Sequence, residues 1–185
     1  MESDSNLKRY CFTGTRGVGK STLVQKVKDE FSSIIFTAGS DILKEMMGGE
    51  YKNFEYLPEN EKSQLRFELN QNLRKMQQES QKDIFVDAHL TVCNLKTGII
   101  ENIFTENEIE FYTDIVLLDS TPEKVLENRR KDTTKERILD LDLISKELEF
   151  EKKEAIKVCS DYNLKLHIIK VGDNEVEKLK DILME

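Results

Sequence analysis

Three glycines, a lysine and a serine fall at a spacing that can do phosphate chemistry. Gly14-Thr15-Arg16-Gly17-Val18-Gly19-Lys20-Ser21 satisfies G-x-x-x-x-G-K-[ST], the signature of a phosphate-binding loop. The glycines leave no Cβ in the way, so successive backbone N–H groups can turn inward around phosphate oxygens. Lys20 would reach the β- and γ-phosphates of ATP as a flexible point charge, and Ser21 would present its hydroxyl to Mg²⁺. A helix opening at Lys20 adds its positive dipole end. Arg16, inside the loop, is placed to lie against the ATP base.

Such a loop needs an acid to hold the magnesium shell, ordinarily at the end of a neighbouring apolar strand. Asp87 ends Ile84-Phe85-Val86, and Asp119 ends Ile115-Val116-Leu117-Leu118. Asp87 is the preferred ligand, because Ala88-His89 run on into a loop, whereas Asp119 has a ready role in the turn before Thr121-Pro122. His89, two residues past the acid, could bond a substrate phosphate or base, or simply pack in the loop. His167, between Leu166 and Ile168, reads as structural. The cationic run Arg129, Arg130, Lys131, Lys135 and Arg137 is the second notable feature of an acidic chain. It fits arginines folding over a transferring phosphoryl group, and it equally fits a solvated helix end with cations at the C-terminus.

These side chains have to be carried by strands alternating with helices. Residues 8–13, 33–37, 83–87, 114–119 and 164–171 read as strands. Helices are expected from Lys20 to about Phe31, from Gly39 through Met47 with Ser40 or Asp41 as cap, and from Pro58 to about Lys82. In the last of these, Leu65, Leu69, Leu73 and Met76 form an apolar stripe beside Arg66, Asn70 and Arg74. A loop is expected over 48–58, another over 88–98, and a short helix over 99–107. Thr121 caps a helix with Pro122 at its first position. Leu141, Ile144, Leu148, Ala155 and Cys159 mark another helix, and 175–184 a closing one. The pattern is α/β with a largely parallel sheet, in which ligands bind beyond the strand carboxyl ends.

At 185 residues, 38% apolar and 35% charged, the chain reads as one soluble domain. A net charge of −8 disfavours direct binding to nucleic acid or to an anionic membrane surface. Cys11, Cys93 and Cys159 are scattered, odd in number and without a C-x-x-C pair, as reduced thiols in a cytoplasmic protein would be. No apolar run approaches the about 18 residues of a membrane span. Homo-oligomerisation is left open by the sequence.

Together these residues resemble the nucleoside monophosphate kinases, most closely the archaeal-type adenylate kinases. The likeness rests on Gly14–Ser21, Thr37-Ala38-Gly39-Ser40, Leu57-Pro58, Ile84–Thr91 and Asp114–Pro122. It also rests on Arg129 with Asp132, Thr134 and Arg137. It implies a three-layer P-loop NTPase fold with a five-stranded parallel sheet. It further implies a helical monophosphate-binding region over 37–80 and a short lid over 129–140, all within a single domain of residues 1–185. The implied reaction is Mg²⁺-dependent transfer of the ATP γ-phosphate to AMP. By position, Gly14–Ser21 with Thr22 would hold ATP, and Asp87 with Ser21 would organise magnesium. Gly39, Ser40 and His89 would line the acceptor side, while Lys20, Arg129 and Arg137 would act on the transferring group.

The chain also departs from that pattern. Asn53-Phe54-Glu55-Tyr56 lacks the arginine that the family carries before Leu-Pro, so Arg66 or Arg74 would have to take its place. Lys135 stands where the lid commonly has arginine. The Gly/Pro-rich loop after the histidine is reduced to Asn94-Leu95-Lys96-Thr97-Gly98. Two other functions therefore stand beside the nucleotide kinase: a kinase of another small-molecule or nucleic-acid-end acceptor, and an ATP-binding module that hydrolyses slowly. A GTPase is disfavoured by the absence of an Asn-Lys-x-Asp segment. Whichever acceptor is used, Lys20→Ala should lower phosphoryl transfer by about 10² fold or more in a steady-state assay; retention of more than about a tenth of the activity would overturn the electrostatic role given to Lys20.

Overall fold

The apolar runs become strands of one parallel sheet. The computed structural model describes residues 7–94, 97–133 and 136–185; Met1–Asn6, Leu95, Lys96, Thr134 and Lys135 lie outside the described residues. The main sheet comprises β1 (Arg9–Thr13), β2 (Ile34–Ala38), β3 (Asp83–Asp87), β6 (Asp114–Asp119) and β7 (Lys165–Lys170), in the order β2-β3-β1-β6-β7. A small antiparallel pair, β4 (Thr91–Cys93) and β5 (Ile100–Asn102), stands apart. The helices are α1 (Lys20–Val27), α2 (Gly39–Met47), α3 (Glu59–Ser80), α4 (Glu106–Ile109), α5 (Pro122–Lys131), α6 (Leu141–Tyr162) and α7 (Glu175–Leu183). The expected α/β fold with a five-stranded parallel sheet is what forms.

Register brings the chemistry together. Cys11 of β1 pairs with Val86 on one side and Ile115 on the other, and Phe12 pairs with Asp87 and Val116. Thr13, Asp87 and Asp119 therefore end at the same edge of the sheet. Alternation along β1 divides the core. Tyr10 and Phe12 face one layer with Leu23 and Val27 of α1 and Leu179 of α7. Cys11, with Ile84 and Val86, faces the opposite layer with Leu69 and Leu73 of α3 and Val158 of α6. α6 changes layer along its length, since Ile144 and Leu148 join the first cluster while Ala155, Val158 and Cys159 join the second.

Several boundaries differ from the sequence reading. No side chain caps α2: Ala38 occupies the cap position, and Ser40 and Asp41 are already inside the helix. Residues 48–56, expected as loop, wind as a 3-10 helix (Gly48–Tyr56). The helix expected over 99–107 is replaced by strand β5 and the short α4, whose Thr105–Glu108 capping box fixes its start after the strand pair. α1 ends at Val27 and tightens into a 3-10 turn at Lys28–Glu30. The start of α5 is as expected, with Pro122 in the first turn and Thr121 accepting from Lys124 N. His167 Nε2 lies 3.0 Å from Asp114 Oδ1, a contact between neighbouring strands that suits the structural role read for it. No helix among the described residues is long and apolar enough to cross a membrane.

The three cysteines are free and buried. Burial pushes the Cys11 thiol well above its ordinary value, and pushes Cys93 and Cys159 each up to about 11. At pH 8 all three stay protonated, so they should react with a disulfide reagent about tenfold or more slowly in the folded protein than in urea. Rapid labelling of the native protein, followed as released thiolate, would contradict this packing.

Candidate functional site

The phosphate-binding loop leaves β1 at Gly14 and enters α1 at Lys20. Gly14 adopts φ +148° with Leu118 O only 2.7 Å from where a Cβ would stand, so no other residue fits between β1 and β6 there. Val18 N donates to Thr15 O at 3.0 Å and closes a turn inside the loop. Thr15 Oγ1 is buried without a partner, a donor that a phosphate oxygen would satisfy. Ser21 and Thr22, by contrast, are exposed at the start of α1.

Around this loop the structure gathers four of the residues singled out by sequence. Lys20, only 6% exposed, donates from Nζ to Gly14 O at 2.8 Å and lies 3.6 Å from Asp87 Oδ1. Burial drives its pKa down from the ordinary value, against the opposing pull of Asp87 and Glu151. Ser21 Oγ faces Asp87 Oδ2 at 3.4 Å, which puts a hydroxyl and a carboxylate of hard oxygen donors side by side. That set suits Mg²⁺, which is ordinarily held by one or two carboxylates, waters and substrate phosphates. Asp119 is occupied elsewhere: it pairs with Lys152 at 2.8 Å and accepts from Ser120 N.

His89 places Nδ1 3.1 Å from Gly14 O and 3.4 Å from Lys20 Nζ. A carbonyl can only accept, so Nδ1 carries the proton and Nε2 is left as the acceptor. Burial, then the charges of Lys20 and Arg16, hold the imidazole pKa well below its usual range, so His89 is neutral near pH 7.

Other expected residues lie further off. Gly39 opens α2, with Leu69 and the Asp87 carbonyl beside it, and Ser40 is exposed. Arg66 is bound to Glu59 at 2.7 Å. Arg74 donates to Asn70 Oδ1 and Asn107 O and lies over the Phe111 ring, so it does not reach the loop. Arg16 reaches across to Glu55 at 3.1 Å, joining the loop to the 3-10 segment after α2. Arg137 makes a two-pronged pair with Asp132, and its charge is felt at His89. Arg129, expected over the phosphates, is instead buried with its guanidinium turned into the protein against Arg16 O, Ile138 O and Glu147.

Sequence reasoning missed the acids of α6. Glu151 is 1% exposed and accepts from the Thr13 and Thr91 hydroxyls and from the backbone N–H of Leu90 and Thr91. It thereby ties the residue before Gly14 to the residues after His89. Glu147 and Glu154 are buried on the same helix, Glu147 against Arg129 and Glu154 accepting from Asn102. The signal was present, since these three acids fall between the apolar positions Ile144, Leu148, Ala155 and Val158 at helical spacing.

A strand-end loop with Lys20, Ser21 and Asp87 around it, on a five-stranded parallel sheet, is an α/β P-loop fold, and the same fold recurs in known structures. The chain belongs to the AAA domain family, whose sequence profile matches residues 13–144. A shikimate kinase from Bacteroides thetaiotaomicron superposes with a TM-score of 0.60 at 16% identity, covering 96% of this chain and 99% of that one. One from Aquifex aeolicus gives 0.59 at 22% identity, covering 95% and 94%. One from Acinetobacter baumannii in complex with shikimate gives 0.57 at 14%, covering 97% and 92%. No curated protein matches the chain in sequence.

Glu151→Gln would turn an amide N–H₂ toward donors that need an acceptor. It should lower stability by about 2–3 kcal/mol, read as a drop in urea midpoint, and Thr13→Val by less. Equal, negligible effects from both would show that the node carries no stability.

Proposed function

We propose that this protein is an ATP-dependent phosphotransferase acting on a small-molecule acceptor. The observation that carries the reading is one contact chain at the carboxyl ends of β1 and β3, in which Lys20 and His89 meet Gly14 O, Asp87 lies beside Lys20, and Ser21 faces Asp87. In this reading one domain contains the loop, an acceptor-binding region over 37–80 with Gly39, Ser40 and Arg66, and a lid expected over 129–140, of which Arg129 stays fixed at the end of α5 while the part from Asp132 closes. The loop backbone from Gly14 to Thr22 cradles the triphosphate, and the Thr15 hydroxyl finds its partner there. Lys20 leaves Gly14 O to meet the β- and γ-phosphates, which gives the buried ammonium an anion in place of a carbonyl. Ser21 and Asp87 would hold Mg²⁺, which when bound would supply charge neutralisation for the phosphates.

Neutral His89 offers Nε2 as an acceptor within the same pocket, suited to orient a hydroxyl or phosphate of the incoming substrate. Arg137 can exchange Asp132 for phosphate when the 132–140 segment closes, and closure would exclude water that otherwise diverts the reaction to hydrolysis. The resemblance in sequence favours a nucleoside monophosphate, AMP-like, as acceptor.

A second reading has its own support. Of the six cations within 37–80, Lys44, Lys62, Arg66 and Lys75 are bound to acids of that region and Arg74 is packed on Phe111, while Lys52 lies on the 3-10 segment after α2. A phosphate-bearing acceptor would have to draw on Lys52 or displace one of the paired cations, whereas a neutral hydroxyl compound would need neither. The shikimate kinases that share the fold make a hydroxylated carbocyclic acid one candidate to include.

ADP release should be measured with AMP, dAMP, CMP, UMP, GMP, nucleosides and shikimate as acceptors. Transfer above the ATP hydrolysis background with any one of them is expected, and AMP leading the series would favour the first reading. Turnover with none of them, despite tight ATP binding, would point to the slow-hydrolysing module instead.

A further inference from the structure

We infer that the buried Arg129–Glu147 pair, with Asn128, is a brace that holds the phosphate-binding loop in its ATP-receiving shape. Arg129 is thus a positioning residue acting through the loop backbone. The inference rests on the reading that Gly14–Ser21 binds ATP, and on nothing about the acceptor.

The last turn of α5 presents two neighbouring side chains to two neighbouring loop carbonyls. Asn128 Nδ2 donates to Gly17 O at 2.9 Å, and Arg129 Nε donates to Arg16 O at 2.9 Å. In a planar trans peptide the carbonyl and the next N–H point in opposite directions. Capturing Arg16 O therefore turns the Gly17 N–H away from α5. Capturing Gly17 O likewise aims the Val18 N–H at Thr15 O, where the 3.0 Å bond closes the loop's turn. The fit is close enough that a Cβ at Gly17 would stand 2.9 Å from Arg129 Cγ.

The guanidinium is itself fixed at its far end. Nη1 donates to Ile138 O at 3.0 Å and Nη2 pairs with Glu147, while Arg129 is 4% exposed. Swinging Arg129 onto a transferring phosphoryl group would break all three contacts and strand the Glu147 carboxylate in a buried setting. Glu147 is thus the anion that makes a buried, immobile guanidinium tolerable. The arginine in turn links the loop to α6 and to Ile138 in the 132–140 segment.

The test measures Mg·ATP dissociation constants by calorimetry and kcat at saturating ATP, for Asn128→Ala, Arg129→Lys, Glu147→Gln and the Arg129→Lys/Glu147→Gln double variant. Asn128→Ala should raise Kd by about 3–10 fold, the loss of one hydrogen bond. Arg129→Lys, which keeps charge but loses the Nε geometry, should raise it by about tenfold or more, and Glu147→Gln similarly. The double variant should be no worse than the poorer single one. In each case kcat should stay within a few fold. A clamp on the transition state would behave oppositely: Arg129→Lys would cut kcat by about 10² fold at unchanged Kd, with Asn128→Ala silent, and that pattern would overturn the brace. If Glu147→Gln melts out, the half-exposed Asn128 decides the matter alone. A wild type that binds ATP yet phosphorylates no acceptor sinks only the proposed function. A wild type that binds no ATP sinks both.

Discussion

A buried ammonium ion sets the terms for this structure. Lys20 is almost wholly removed from water, and such a charge survives only where fixed partners replace its hydration. Gly14 O, Asp87 and, at longer range, the field of Glu151 supply that replacement. Each partner sits on a different element: the loop after β1, the end of β3 and the middle of α6. The parallel register of β1 with β3 and the packing of α6 across the strand ends are therefore requirements of the same charge. His89 stays neutral for a related reason, since burial and the neighbouring charges of Lys20 and Arg16 both disfavour a second cation there.

α6 acts as the backing plate of the site. It turns Glu147 toward Arg129 and Glu151 toward Thr13, Leu90 and Thr91. Acids one helical turn apart thus hold the two loops that flank the site from behind, while presenting no charge to its mouth. A fully donated-to carboxylate is rigid, because moving it leaves several buried N–H and O–H groups unpaired at once. That rigidity is what a phosphate cradle needs, since small errors in placing reacting groups cost large factors in rate.

The segment that faces the loop from beyond α2 is more exposed. The segment after α2 winds as a 3-10 helix and contacts the loop through the Arg16–Glu55 pair, which is partly exposed. An exposed pair of this kind contributes little to stability, so it can yield to a ligand. The fold shared with shikimate kinases does not by itself name a substrate, since one fold hosts many functions and the site alone carries specificity.

The amino-acid sequence by itself determined the phosphate-binding-loop signature and the frame. Its glycine spacing, its apolar strands ending in acids and its capped helices are local patterns, and local patterns follow from backbone sterics and side-chain periodicity. Asp87 was legible over Asp119 for this reason: Thr121-Pro122 claimed the second acid for a turn. The helical spacing of Glu147, Glu151 and Glu154 hinted at their burial, but the partners of Arg129 and Glu151 were not legible, because a charged residue in a sequence does not say which other chain segment it will face. Eighteen positions separate Arg129 from Glu147 and 138 separate Thr13 from Glu151, so only the folded chain could pair them. The phosphate-binding loop thus announces itself in eight residues, but the side chains that hold it in shape are chosen by tertiary packing, where burial forces every charge to find a partner.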